Sequence, residues 1–276
     1  MSRDVPLERL YSQFLCCKYF WKWYYSISGV NLLATIKCRN ITFTDIQAIF
    51  FDKNGTLEDS EAYLRSLGQK ATRLIDAQIP GIGEPLLMAF GINSDTLDPA
   101  GLISVASRRE TEIAAAAYIA ETGRGWFESL TIARQALDEA EKYIGKTPAP
   151  LFAGSLEILK SLSVAGIKLG IISAATTAEV NDFVMHHQLS DYIQVQIGVD
   201  DGPSKPDPVL FLQACQALGV EPGATLMVGD SIGDMQMGRN AQAAGCIGIT
   251  WIGKPDNVRG ANVIINQLDE IQIVEA

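Results

Sequence analysis

Cysteine, histidine and basic runs are what this chain has least of. Its five cysteines are Cys16, Cys17, Cys38, Cys215 and Cys246. The number is odd and no two stand as C-x-x-C, so neither a disulfide framework nor a structural zinc site is indicated. A reducing cytoplasm is the expected compartment. The only two histidines are His186 and His187, and they sit together in a helical pattern away from the strand ends. No cluster of Lys and Arg marks a nucleic-acid face, and the formal net charge is −10. No apolar run is long enough for a membrane-spanning helix. The start lacks the basic opening, smooth apolar core and small-residue cleavage site of a signal peptide. An anionic substrate must therefore be held by a local positive site on an acidic protein.

What is present is a globular composition, 47% hydrophobic and 20% charged. A length of 276 residues allows one large domain or a core with an insertion. Residues 1–45 read as an N-terminal extension. Its stretch from Tyr11 to Tyr25 is crowded with aromatics interrupted by Lys18 and Lys22. That stretch fits either a surface-binding helix or a tail outside the fold. Residues Thr35 to Thr44 alternate loosely, as an edge strand or hairpin does.

From residue 46 the pattern becomes regular. IQAIFF (46–51) is short, apolar and bounded by polar residues, as a buried parallel strand is. IKLGII (167–172), QVQIGV (194–199), ATLMVG (224–229), CIGIT (246–250) and NVII (262–265) repeat it. Helical patterns lie between them, with caps expected at Ser155, Thr177, Asp207 and Asp234. The alternation predicts an α/β fold with a doubly wound parallel sheet, built from residues 46–57 and 151–276. Residues 58–150 are too many for one crossover and read as helices: one capped by Ser60, one over Leu102–Ala120, one over Trp126–Ile144. We expect an inserted α-helical cap there.

Ligands of open α/β sheets bind beyond the carboxyl ends of the strands. Four polar clusters fall at such ends. Asp52-Lys53-Asn54-Gly55-Thr56 follows the first strand and offers a carboxylate that can attack phosphorus or ligate a metal. Ser173, with Ala174 after it, offers a hydroxyl and free N–H groups at a helix start. Lys205 stands between prolines and can neutralise phosphate charge. Asp230 and Asp234 in GDSIGD (229–234) supply hard oxygen ligands for Mg²⁺. Each has an ordinary structural explanation alone: a turn, a helix-entry serine, a solvated lysine, a helix cap. All four in this order are hard to obtain by chance.

Together FFDKNGTLEDS (50–60), IISA (171–174), SKPDP (204–208) and GDSIGD (229–234) resemble the haloacid dehalogenase-like hydrolases, over roughly residues 46–270. The resemblance implies a Rossmann-like core and a phosphatase-like activity. It implies Asp52 as nucleophile, an aspartyl-phosphate intermediate, and Ser173 and Lys205 on the phosphoryl oxygens. It implies Mg²⁺ held by Asp52, the Asn54 main-chain carbonyl and Asp230, with Asp234 helping. The substrate implied is a small phosphorylated metabolite such as phosphoglycolate. The cap is expected to choose it, with Arg108, Arg109 and Arg124 as candidate contacts, any one of which also reads as a solvated helix-face arginine. The oligomeric state is not indicated.

One residue departs from the pattern. Family phosphatases usually carry a second aspartate where Asn54 stands, and an amide cannot carry a proton at neutral pH. Losing a general acid costs about 10²–10⁴-fold in rate. The chain then reads as a slow or leaving-group-restricted phosphatase, as a phosphotransferase with a long-lived intermediate, or as a non-catalytic phosphate-binding protein. The acidic pair Asp230/Asp234 speaks against a metal-free dehalogenase.

Overall fold

The computed structural model describes residues 33–145, 147–251 and 255–274. The aromatic stretch at 11–25, with Cys16 and Cys17, lies outside the described residues.

The described chain opens with a hairpin, β1 (Ala34–Cys38) and β2 (Ile41–Ile46), and β1 pairs on its other side with the antiparallel β11 (Ile271–Val274). Alternation in β1 sends Ile36 and Cys38 inward; in β2 Phe43 and Ile46 both turn inward because Asp45, at φ +61°, breaks the alternation between them, and all four join the same buried cluster as Leu226, Ile247 and Leu268. Among the described residues, sheet begins at Ala34, within the stretch expected to be an extension. Each large side chain so buried contributes about 1.5–3 kcal/mol. A chain starting at Leu33 is expected to unfold cooperatively. One starting at Gln47 is expected to lose its cooperative thermal transition, because those side chains vanish and the edge of β11 is bared. Circular dichroism on heating distinguishes the two.

A single residue, Gln47, separates β2 from β3 (Ala48–Phe51), whose four residues are all buried. Next comes a run of helices: α1 (Glu61–Asp76), α2 (Gly83–Phe90), α3 (Leu102–Val105), α4 (Arg108–Glu121) and α5 (Trp126–Ile144). A two-residue ladder, β4 (Ile92–Asn93) with β5 (Thr96–Leu97), follows α2. These helices bury a cluster of their own, including Ile75, Leu86, Phe90, Ile119 and Leu137. Small residues allow close approach: Ala115 and Ala116 of α4 share this cluster with Ala133, Ala136 and Ala140 of α5.

The chain then returns to the sheet through α6 (Ser155–Val164), β6 (Lys168–Ile172), α7 (Thr177–His186), β7 (Val195–Ile197) and α8 (Val209–Leu218). It continues with β8 (Thr225–Gly229), α9 (Ile232–Asn240), β9 (Gly245–Ile249) and β10 (Val263–Ile265). The main sheet has six strands in the order β10-β9-β8-β3-β6-β7, with every pairing parallel. Successive residues of β3 face opposite layers. Ile49 and Phe51 join residues of α6 and α7, while Ala48 and Phe50 join residues of α8 and α9. The winding runs one way from β3 to β7 and the other way from β8 to β10. The switch point therefore falls at the carboxyl ends of β3 and β8, where such sheets bind ligands.

Several local expectations are corrected. The run expected over Leu102–Ala120 is broken at Ala106, because Ser107 and Glu110 form a capping box that starts α4 afresh. Reciprocal caps also displace two expected starts: Thr176 with Glu179 opens α7, and Ser231 with Asp234 opens α9. Ser155 lies just inside α6, after Gly154 in a left-handed conformation, and its hydroxyl donates to the Leu57 carbonyl at 3.1 Å. Ser60 stands at the start of α1 without a side-chain cap bond. No described helix is long and apolar enough to cross a membrane.

Candidate active site

Asp52 is the first residue beyond β3, and its backbone N–H donates to the Val228 carbonyl of β8 at 2.9 Å. That bond locks the loop to the neighbouring strand. The following turn closes on itself, with the N–H groups of Leu57 and Glu58 both donating to the Lys53 carbonyl, at 3.0 and 2.9 Å. Gly55 occupies the left-handed region at φ +72°, and a Cβ there would stand 2.1 Å from Asp230 Oδ2. A glycine is required on both counts, conformation and clearance. Thr56 Oγ1 donates to Asp230 Oδ1 at 3.4 Å. The Trp251 indole donates to the Gly55 carbonyl at 3.1 Å and stacks on Phe152 at 4.2 Å between ring centroids.

Lys205 joins the strand ends. Its Nζ lies 2.5 Å from Asp52 Oδ1 and 2.6 Å from Asp234 Oδ1. Asp234 turns its other oxygen to Ser231, accepting from the hydroxyl at 2.6 Å and from the N–H at 3.2 Å. The same residue thus completes a helix cap and an ion pair. Asp52, Asp230 and Asp234 each bring a carboxylate oxygen within 4.8 Å of the others. Ser173 follows β6, is buried, and accepts through Oγ from the Ala175 N–H at 3.2 Å.

A family model described as haloacid dehalogenase-like hydrolase matches residues 46–242. The chain belongs to the haloacid dehalogenase-like hydrolases.

Among curated relatives, a phosphoglycolate phosphatase of Vibrio vulnificus (strain YJ016) is 28% identical over 224 residues, 76% of this chain and 86% of the relative. One from Shigella sonnei (strain Ss046) is 27% identical over 238 residues, 83% of this chain and 92% of the relative. Among solved structures, a family IA hydrolase of Entamoeba histolytica aligns with a TM-score of 0.59 at 20% identity, covering 82% of this chain and 96% of that one. A β-phosphoglucomutase of Clostridium difficile aligns with a TM-score of 0.53 at 21% identity, covering 81% and 93%. At such identities these two show the shared fold.

The hydrolase site carries surplus negative charge. Three carboxylates face one ammonium in a buried setting. Burial pushes Asp52 up to about 6, with Asp234 adding to the effect and Lys205 opposing it. Burial, then Asp52 and Asp234, hold Asp230 well above the ordinary carboxylate range. Burial works against the Lys205 charge, but Asp234 and Asp52 outweigh it and raise its pKa. Hard oxygens with uncompensated charge suit a divalent cation such as Mg²⁺.

One pair was not anticipated from the sequence. Lys53, 7% exposed, makes an ion pair with Glu58, 3% exposed. Lys53 Nζ also donates to Asn54 Oδ1 at 2.5 Å, and Glu58 Oε1 accepts from the Ala149 N–H at 2.8 Å. The signal was an opposite-charge pair five residues apart across an Asn-Gly turn, and only the closed turn brings the two together.

Two cavities flank the turn, and Asn54 lines both. One, of about 380 Å³, lies between it, Ala174 and α1, α4 and α5. The other, of about 370 Å³, runs along Gly55, Asp230 and Trp251. Of the arginines expected at the substrate, Arg108 lines the first cavity, but all three of its nitrogens are taken. Nε meets Glu112 at 3.1 Å, Nη2 meets Asp138 at 2.6 Å, and Nη1 meets Glu141. Arg109 is exposed and absent from the lining of either cavity. Arg124 faces Glu128 at 3.6 Å near the start of α5 and is equally absent from both linings. His187 Nε2 lies 3.0 Å from the Ala149 carbonyl, a tie to the chain returning from α5.

Proposed function

We propose that this hydrolase is a Mg²⁺-dependent phosphomonoesterase that uses Asp52 as nucleophile on a small phosphorylated metabolite. The observation carrying this reading is the meeting of Asp52, Lys205, Asp230 and Asp234 at the switch point of the sheet. An Asp52 oxygen attacks phosphorus, the bond from phosphorus to the ester oxygen breaks, and the departing oxygen takes a proton from water. Water then attacks phosphorus of the aspartyl-phosphate, releasing phosphate and restoring Asp52. Lys205, now on Asp52 and Asp234, is within reach to hold the phosphoryl oxygens, and Ser173 stands at the next strand end. Asp52, the Asn54 main-chain carbonyl, Asp230 and Asp234 would hold Mg²⁺, which would supply positive charge against the phosphoryl group. Electrostatic positioning of this kind carries most of phosphoryl-transfer catalysis.

The helices of residues 58–150 act in this reading as a cap that closes over the first cavity and excludes water. The named relatives make 2-phosphoglycolate the reference substrate. A cytoplasmic setting accords with Cys38, Cys215 and Cys246, which are free and buried. A second reading, phosphoryl transfer with a long-lived intermediate, draws on Asn54, whose amide offers hydrogen bonds but no transferable proton.

The test is release of inorganic phosphate from a panel of phosphomonoesters with Mg²⁺ and with chelator. Release with the metal and none without it supports the proposal. Label retained on Asp52 without release supports the transfer reading. Metal binding has its own readout. At 100 times its Kd, Mg²⁺ is expected to add about 2.7 kcal/mol of stability, a rise in Tm of roughly 5–10 °C for a domain of this size. Asp230→Ala is expected to remove most of that rise in a thermal melt. An equal rise in the variant would take Asp230 out of the metal site.

A further inference from the structure

The charges around the first cavity bear on the substrate. Six of its described lining residues are carboxylates: Glu58, Glu112, Asp138, Glu141, Glu179 and Asp182. Two are cations, Lys53 and Arg108. Neither cation is available to a second anion. Lys53 is buried against Glu58 and Asn54, and each nitrogen of the Arg108 guanidinium meets a carboxylate of α4 or α5. Glu112 is further shared with Arg134 at 2.9 Å.

This wall is tied to the phosphoryl end of the site. Glu110, in the first turn of α4 beside Arg108, accepts through Oε1 from the Ser204 hydroxyl at 2.8 Å, and Ser204 precedes Lys205. Asn54 and Ala174 line the same cavity. Tyr63, also in the lining, feels Glu179, Glu141 and Glu58; burial first, and then these carboxylates, push its phenol up to about 12. Because Asn54 and Ala174 stand close to Asp52 and Ser173 in the chain and line this cavity, a phosphoester held at Lys205 would extend its other end toward this wall. A carboxylate there would displace an Arg108 partner or face like charge. Hydrogen-bond donors without negative charge would meet acceptors.

We infer that this cavity selects phosphomonoesters whose distal group donates hydrogen bonds and carries no negative charge, an amine or hydroxyls, and rejects those bearing a carboxylate. Arg108, clamped by Glu112, Asp138 and Glu141, is the residue that sets this selectivity. The inference rests on the phosphomonoesterase reading and separates this chain from the substrate in its relatives' names.

Three esters of similar length decide it: O-phosphoethanolamine, 2-hydroxyethyl phosphate and 2-phosphoglycolate, with p-nitrophenyl phosphate as a control. Like-charge juxtaposition costs several kcal/mol, so kcat/KM for the carboxylate ester is expected to fall about a hundredfold below that of the amine ester, with the hydroxyl ester between. Asp138→Asn with Glu141→Gln unclamps Arg108 and is expected to shift the carboxylate-to-amine ratio by about tenfold or more toward the carboxylate. Preference for 2-phosphoglycolate in the native protein overturns the inference and leaves the phosphatase reading standing. An unmoved ratio in the double variant removes Arg108 from the selectivity. Should no ester, control included, release phosphate, the phosphatase reading falls. The order in which the three esters raise Tm in the presence of Mg²⁺ then judges the wall by itself.

Discussion

Asp52→Asn is expected to cut phosphate release by about 10⁴-fold or more, the scale of losing a nucleophile. The substitution keeps shape and an acceptor oxygen, so the contact with Lys205 can persist. It removes one charge from a crowded site. Asp52 now sits near two other carboxylates in a setting that pushes its own pKa up to about 6, chiefly by burial. Neutralising it relieves repulsion on Asp230 and Asp234, while Lys205 keeps Asp234 at 2.6 Å. The metal-free variant is therefore expected to melt at or above the native temperature, the usual trade of stability against activity. Phosphate release and a thermal melt on one preparation separate lost chemistry from lost fold. Residual turnover near the native rate would remove Asp52 from the mechanism. A melt many degrees lower would show that its charge holds the fold together.

The second large effect concerns Asn54. From the sequence, Asn54→Asp restores a proton carrier and should speed hydrolysis of alkyl phosphates. The structure changes that expectation. Lys53 is a donor only, and it sits 2.5 Å from Asn54 Oδ1. A carboxylate introduced there meets a buried ammonium, which favours its ionised form and leaves no proton to give the departing oxygen. Asn54→Asp alone is thus expected to gain less than about tenfold. The full gain, about 10²–10⁴-fold on alkyl phosphates, is expected when Lys53→Met and Glu58→Gln accompany it. The two must change together. Removing Lys53 alone strands Glu58, 3% exposed, as an unpaired charge, a defect worth about 3–5 kcal/mol. Aryl phosphates, whose departure needs less protonation, should gain least. Because Asn54 precedes Gly55, intact-mass analysis must exclude deamidation in the native sample. If Asn54→Asp alone matches the triple variant, Lys53 does not govern the proton. If neither is active on any phosphate, the site binds rather than turns over.

The two cases differ in how much of each was legible beforehand. Three of the four clusters were readable because each lies directly after a short apolar run, and Lys205 because it lies in the loop that follows another; such runs become parallel strands whose ends share one side of the sheet. Local chemistry was enough to place Asp52 at the end of β3, to require Gly55 in its turn, and to set Asp230 and Asp234 after β8. Helix starts were less legible. Asp234 reads as a cap, yet Ser231 takes that place, because a Ser three residues before an acid satisfies two N–H groups where one Asp satisfies one. The same local competition split the expected helix at Ser107.

Side-chain partnerships across the chain were beyond the sequence. Arg108 looked like an anion receptor, but α4 lies against α5, where Asp138 and Glu141 claim it. The hairpin of β1 and β2 carried only a loose alternation, and it became core because β11, from the far end of the described chain, pairs with it. Lys53 and Glu58 were visible only as two charges. What the sequence by itself determined is where the parallel strands fall along the chain and the chemistry near their ends, since both follow from neighbours along the chain. Which charges remain free for a ligand was decided by the tertiary structure alone. An ion pair forms between residues that packing brings within a few ångströms, and separation along the chain says nothing about that distance.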